Sequence, residues 1–335
     1  MTIDEPVITY QPERHSKETI QKLLKHLRVT PWTFAIGLVT LVFLVGAVIW
    51  YQGYAHDLTT HQPIWWIFAL AVVAAYGQYW GYAISLRGAS TKPIPKLRTF
   101  ELEVAESVTY VFTPESIGSL ALTVRFLDRQ GFTSAEAAGA AGLSSFFTTA
   151  LDFLIIPIAS VFAASSINVS QLKSDSPSST WEVVGAILLI AAAITLLAKL
   201  PRMRKKVIAW SKQAVVYVKT LLHDPQKALV ICAGEVATVA GQVTCLSLLM
   251  AAFHAPLAIA VCVVITQLAG AASSVVPIPG GLGAPEAILV AGLTAVGLHG
   301  ETALLVAFSY RILTYWGPPI PGAIALYNLH KKELV

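Results

Sequence analysis

What most constrains this chain is a series of apolar runs near or above the roughly 18 residues that let a helix cross the hydrocarbon core of a bilayer. They extend from about Trp32 to Tyr54, Ile64 to Leu86, Ala135 to Ala164, Trp181 to Leu200, Ala228 to Ala252 and Glu301 to Leu326. Such segments must satisfy their backbone polar groups internally, so the expected fold is an all-α polytopic membrane protein of about six spanning helices. Hydrophobic residues make up 55% of the sequence and charged ones 13%, and the runs with their short connections use nearly all of it. A separate soluble catalytic domain has no room, and no enzyme activity, cofactor or metal is expected. The formal charge of +4 comes from lysines and arginines at the ends of the runs. Membrane topology places them there, so no nucleic-acid partner is implied. Cys232, Cys245 and Cys262 lie inside apolar runs without metal-ligand or redox spacing and read as small core residues.

The charges also set an orientation. Residues 1–30 contain "HSKETIQKLLKHLRV", where Ile20, Leu23, Leu24 and Leu27 recur at helical spacing opposite Lys17, Lys22, Lys25 and Arg28. That is the pattern of an amphipathic helix on the inner surface. No small-residue cleavage site follows the first apolar run, so that run is expected to stay in place. Arg87, Lys92, Lys96 and Arg98 follow the second run, "PRMRKK" follows the fourth, and His330, Lys331 and Lys332 close the chain. By the positive-inside rule both termini face the cytoplasm of a plasma-membrane protein. The expected organisation is a first transmembrane unit over 31–165, an outer polar loop over 166–180 and a second unit over 181–330. Trp32, Trp65, Trp66, Trp80, Trp181 and Trp316 read as interface anchors.

Two stretches do not fit simple crossings. "TPESIG" separates a weak apolar segment, Phe100 to Phe112, from a short run ending at Leu127, and "PIPGGLG" separates Leu257 to Val276 from Glu286 to Leu298. Arms this short suit re-entrant, broken helices. Shifting the sequence by 165 positions lays Pro114 on Pro279, Gly118 on Gly283, Glu136 on Glu301, Ala138 on Ala303, Ser144 on Ser309 and Thr149 on Thr314. The same shift lays the second run over the fifth and one break over the other, in opposite orientations. An inverted repeat with two re-entrant broken-helix segments is expected, with a substrate site near the midplane between the repeats.

Non-helical backbone at membrane depth is tolerated only against protein or a water-filled cavity, so the second break should line one. Gly280, Gly281 and Gly283 would leave amides open to a ligand, and a helix starting near Ala284 or Pro285 would aim its positive end there, which together favour an anion. Arg311 falls deep in the last run, where a bare charge costs at least about 2.5–3.5 kcal/mol, so it must face inward and find a partner. Glu286 is the nearest candidate. Asp152, Glu235, Glu106 and Glu115 are further carboxylates near or within apolar runs. Asp152, Glu235 and Glu286 are candidates for proton or ion coupling, while Glu106 and Glu235 could instead snorkel to the surface.

The segments "PIPGGLGAPEAILVAGLTAVGL" and "YRILTYWGPPIPG" resemble the C-terminal signature of the lysylphosphatidylglycerol synthase transmembrane family, also called the flippase-like domain family. "TPESIGSLALTVRFLDRQGFTSAEAAGAAGL" is similar to its first-half motif but departs from the commoner pattern with two glycines. The resemblance implies a lipid transporter or flippase for an anionic, phosphate-bearing lipid, either an aminoacyl phospholipid or a polyprenyl-phosphate-linked sugar. By matching position it puts substrate binding on Pro279, Gly280, Gly281, Gly283, Glu286, Tyr310 and Arg311, with Pro114, Glu115 and Gly118 at the first break. The family's soluble aminoacyl-transferase domain has no counterpart in this sequence, so synthase activity is not implied. Two alternatives stand beside this reading: a non-transporting scaffold subunit of a lipid or glycan synthesis complex, and a membrane lipid phosphatase using Ser273, Ser274 and Glu286.

Overall fold

The computed structural model describes residues 62–112, 117–166, 224–275 and 283–335. The amphipathic N-terminal segment, the first and fourth apolar runs and the polar loop after Ser166 lie outside these residues, as do Pro114, Glu115, Pro279, Gly280 and Gly281. Everything regular within the described residues is helical, and three helices there are long and apolar enough to cross a membrane.

The first of these is α1, Trp65–Ala89, whose 25 residues match the second apolar run. After a short basic turn, α2 (Lys96–Phe112) and α3 (Ile117–Arg129) pack against each other as a helical hairpin. The 17 residues of α2 extend about 25 Å at 1.5 Å per residue, short of the roughly 30 Å hydrocarbon core. The hairpin is followed by α4, Ser134–Ser166, an uninterrupted helix of 33 residues with Pro157 inside it. In the second half, α5 (Pro225–Ala252) starts on an Asp224 cap, whose carboxylate accepts the Lys227 N–H at 3.2 Å, and has proline in its first turn. The helices α6 (Ile259–Val275) and α7 (Ala284–Ala295) form a second hairpin.

The last apolar run departs from expectation. It is not one helix but α8 (Gly300–Arg311), a π-helical turn (Ile312–Trp316) and α9 (Pro319–Lys331). The cause is local. In a continuous helix the carbonyls of Thr314 and Tyr315 would accept from residues 318 and 319, and both are prolines, which have no N–H. The turn closes instead through Gly317 N–H donating to the Ile312 carbonyl at 2.7 Å.

The 165-residue shift seen in sequence carries α1 onto α5, α2 onto α6, α3 onto α7, and α4 onto α8, the π turn and α9. Every boundary agrees within five residues, with the largest offset at the start of α5. The packing follows the same exchange: α2 lies against α9 as α6 lies against α4. One core cluster gathers Leu246, Leu249, Leu289, Leu293 and Val306 with Ala163 from the end of α4. The other gathers Leu102, Phe126, Leu127 and Ala137 with Leu329 from α9. Each hairpin is therefore covered by the tail of the other half's last element.

The two halves meet along α1 and α5, which run antiparallel. Ile64 N–H reaches the Ala252 carbonyl at 2.9 Å at one end, while Gly88 lies against Ile231 at the other. Between them Gly81 faces Gly234 and Thr238 so closely that a Cβ on Gly81 would sit 2.2 Å from Thr238 Oγ1. Small residues that let helix backbones touch replace the hydrophobic drive that is missing between helices in lipid. Large apolar side chains point outward, with Val73, Val161 and Leu229 each 69–73% exposed. That is the inverse of a water-soluble surface and fits a lipid environment.

Candidate functional site

Gly283 caps α7 with a backbone φ of +93°, a conformation in which a side chain would be strained. Three residues on, Glu286 reaches back and accepts the Gly283 N–H through Oε2 at 2.8 Å. This corrects one expectation: the Gly283 amide is not open to a ligand, because the first-turn carboxylate already occupies it. The other oxygen, Oε1, accepts from Arg311 Nε at 2.6 Å. Their side chains are only 8% and 12% exposed, whereas the three other ion pairs among the described residues are much more exposed.

Arg311 ends α8, at the point where the π turn begins. Its guanidinium lies over the Tyr315 ring, 4.2 Å from the centroid. Its Nη2 is buried without a hydrogen-bond partner among the described residues. A buried donor left unmade costs about 1–3 kcal/mol, and more on a charged group, so this nitrogen favours an acceptor such as an anion oxygen. Tyr310, the neighbouring expected site residue, is instead buried in the apolar cluster with Leu246, Leu289 and Val306.

The π turn ties this site to the rest of the molecule. The Thr314 carbonyl, deprived of its helical donor by Pro318, accepts from Gln78 Nε2 of α1 at 3.3 Å. Gln78 in turn accepts from Gln242 Nε2 of α5 at 3.3 Å. Tyr315 OH donates to the Tyr110 carbonyl, in the last turn of α2, at 3.2 Å. The Arg311 site is thereby linked to both hairpins and to the α1–α5 seam.

Carboxylates are buried elsewhere, Glu235 on α5 and Glu103 and Glu106 on α2. Glu235 is 2% exposed and accepts from Ser85 Oγ at 2.6 Å and Thr148 Oγ1 at 3.0 Å. Glu106, 5% exposed, accepts from Thr123 Oγ1 across the α2–α3 hairpin. Snorkelling is thus overturned for both, because neighbouring helices bury the carboxylates and hydroxyls supply their hydrogen bonds. Glu103, one turn before Glu106, is buried as well. Gly118 is buried at the start of α3. Asp152 falls within α4, and its side chain lies outside the described residues. Sequence reading overlooked Gln78, Glu103, Ser85, Thr148 and Tyr315. Glu103 could have been found from its i,i+3 relation to Glu106, and Gln78 from being an amide inside an apolar run.

Three apolar spans, two short hairpins and a buried charged pair at a helix break define a polytopic helical membrane protein with a polar site among its helices. The chain belongs to a family: the model for the lysylphosphatidylglycerol synthase TM region matches residues 35–322. This makes it a membrane protein of lipid metabolism or transport. No curated protein matches it.

Proposed function

We propose that the protein moves an anionic, phosphate-bearing lipid across the plasma membrane, binding its headgroup at Arg311 between two inverted repeats. The observation that carries this reading is the buried guanidinium beside the first turn of α7, with Nη2 unpaired among the described residues. It can take a phosphate oxygen while the α7 N-terminus contributes a favourable dipole. One arginine and one helix end suit a single phosphodiester better than a diphosphate. An aminoacyl phospholipid and a polyprenyl-phosphate-linked sugar both meet that requirement. Bound phosphate and Glu286 would compete for the same cation, so Glu286 either swings away or carries a proton, and Glu235 and Asp152 are candidates for the coupling step.

The inverted arrangement is supported by the antiparallel run of α1 against α5, which the 165-residue shift makes equivalents. With both termini in the cytoplasm, the two hairpins would re-enter from opposite sides and meet near the midplane. On this reading the protein is a transporter and not an enzyme. In support, Ser273 Oγ, a nucleophile candidate, donates to the Ala269 carbonyl of its own helix at 3.2 Å.

The test is lipid scrambling by purified protein in vesicles of phosphatidylcholine doped with fluorescent anionic lipids. Arg311→Ala is expected to reduce transport of the recognised lipid by two orders of magnitude or more, on the scale of a lost buried charge contact. Unchanged transport in that variant would make Arg311 structural. No acceleration of any anionic lipid by the wild type would favour the scaffold reading.

A further inference from the structure

Tyr315 lies within the segment that carries the family resemblance, which assigns it no role, yet it makes contacts in two directions. Its ring lies under the Arg311 guanidinium at 4.2 Å, and its hydroxyl donates to the Tyr110 carbonyl at 3.2 Å. It also makes a T-shaped contact with the Trp316 ring, 5.2 Å between centroids. Tyr110 sits in the last turn of α2, which packs against α3, so the residue that Tyr315 touches belongs to the first hairpin. The backbone beneath Tyr315 is a π turn whose carbonyls at 314 and 315 have lost their helical donors to Pro318 and Pro319. Such turns have more than one way to satisfy their hydrogen bonds, and they recur where helices change shape in function.

We propose that Tyr315 is a positioning residue that couples the Arg311 site in the second half to the α2–α3 hairpin in the first. The inference rests on the reading of Arg311 as the lipid-phosphate ligand and adds how occupancy of that site is communicated. The ring holds the guanidinium with Nη2 presented. When an anion replaces Glu286 as the partner of Arg311, the guanidinium shifts over the ring, the π turn follows, and the Tyr315 hydroxyl transmits the movement to the last turn of α2.

The ring and the hydroxyl can be tested separately. Tyr315→Phe keeps the stack and removes only the link to Tyr110. Its affinity for phosphatidylglycerol should stay within about twofold of wild type, while the transport rate falls about fivefold, the size of one lost hydrogen bond. Tyr315→Leu removes the stack and should weaken phosphatidylglycerol binding about tenfold. Phosphatidylglycerol should also alter amide hydrogen exchange in the last turn of α2 in the wild type but not in Tyr315→Phe, a readout that simple destabilisation would not switch off. A Tyr315→Phe variant that transports like wild type, or loses binding and transport equally, overturns the proposal. So does an exchange response in α2 that survives the substitution. Failure of the underlying reading is distinguishable, because then Arg311→Ala would bind and transport phosphatidylglycerol like wild type.

Discussion

The equivalent segments α4 and α8–α9 differ in one decisive respect. The first is a single 33-residue helix, while the second breaks after 12 residues. Under the 165-residue shift Arg311 falls on Phe146 and Pro319 on Leu154. One half keeps an apolar side chain and an unbroken ladder, while the other carries a cation and a pair of prolines that release two carbonyls. Buried carboxylates show the reverse asymmetry: Glu103 and Glu106 fall on Leu268 and Ala271. Two halves with one architecture have thus been given different chemistry, a cation beside a helix N-terminus in one and two buried carboxylates one turn apart on α2 in the other.

The most damaging change to this arrangement should be Gly81→Leu. It places a side chain where even a Cβ would lie 2.2 Å from Thr238 Oγ1 and 2.4 Å from the Thr238 backbone nitrogen. Backbone cannot yield as a flexible side chain can, so the seam joining the halves should open and monodisperse protein should be lost in size-exclusion chromatography. A Gly81→Leu protein with a wild-type elution profile and melting curve would break the idea that this contact holds the halves together.

Removing the asymmetric charge balance should cost less. Glu286→Ala leaves the buried Arg311 uncompensated and is expected to destabilise the fold by about 3–5 kcal/mol, seen as a lower thermal midpoint in detergent. Replacing both residues by methionine should recover most of that loss, because a buried pair exchanged for apolar groups is often neutral, yet it should not recover transport. Full stability of Glu286→Ala alone would show that the pair is weaker than its 2.6 Å contact implies.

The smallest effect tests the π turn itself. Gln78→Ala should cost about 1 kcal/mol by stripping the Thr314 carbonyl of its donor. In a Pro318→Ala background, where residue 318 regains an N–H, the same substitution should cost distinctly less. A double-mutant cycle with no coupling between the two positions would refute the account of why Gln78 is buried there.

Much of this was legible in the chain. Length and hydropathy located α1, α4 and α5, the glycines and prolines located the breaks between α2 and α3 and between α6 and α7 but not the one after Arg311, and the cost of an isolated charge among apolar residues demanded a partner for Arg311, with Glu286 the nearest. The path from Tyr315 to Tyr110 was not legible, since the two lie 205 positions apart.

The sequence by itself determined what depends on local chemistry: which segments are apolar enough for lipid, where a proline removes a donor, and where a carboxylate can cap its own helix. Only the tertiary structure decided which oxygen of Glu286 serves Gly283 and which serves Arg311, that Glu106 and Glu235 turn inward to hydroxyls, and that Tyr310 belongs to the core while Tyr315 faces the guanidinium. The physical reason is that hydropathy and hydrogen-bonding capacity are properties of single residues and their near neighbours. The direction a side chain finally takes is set by helices that meet only after the chain has folded.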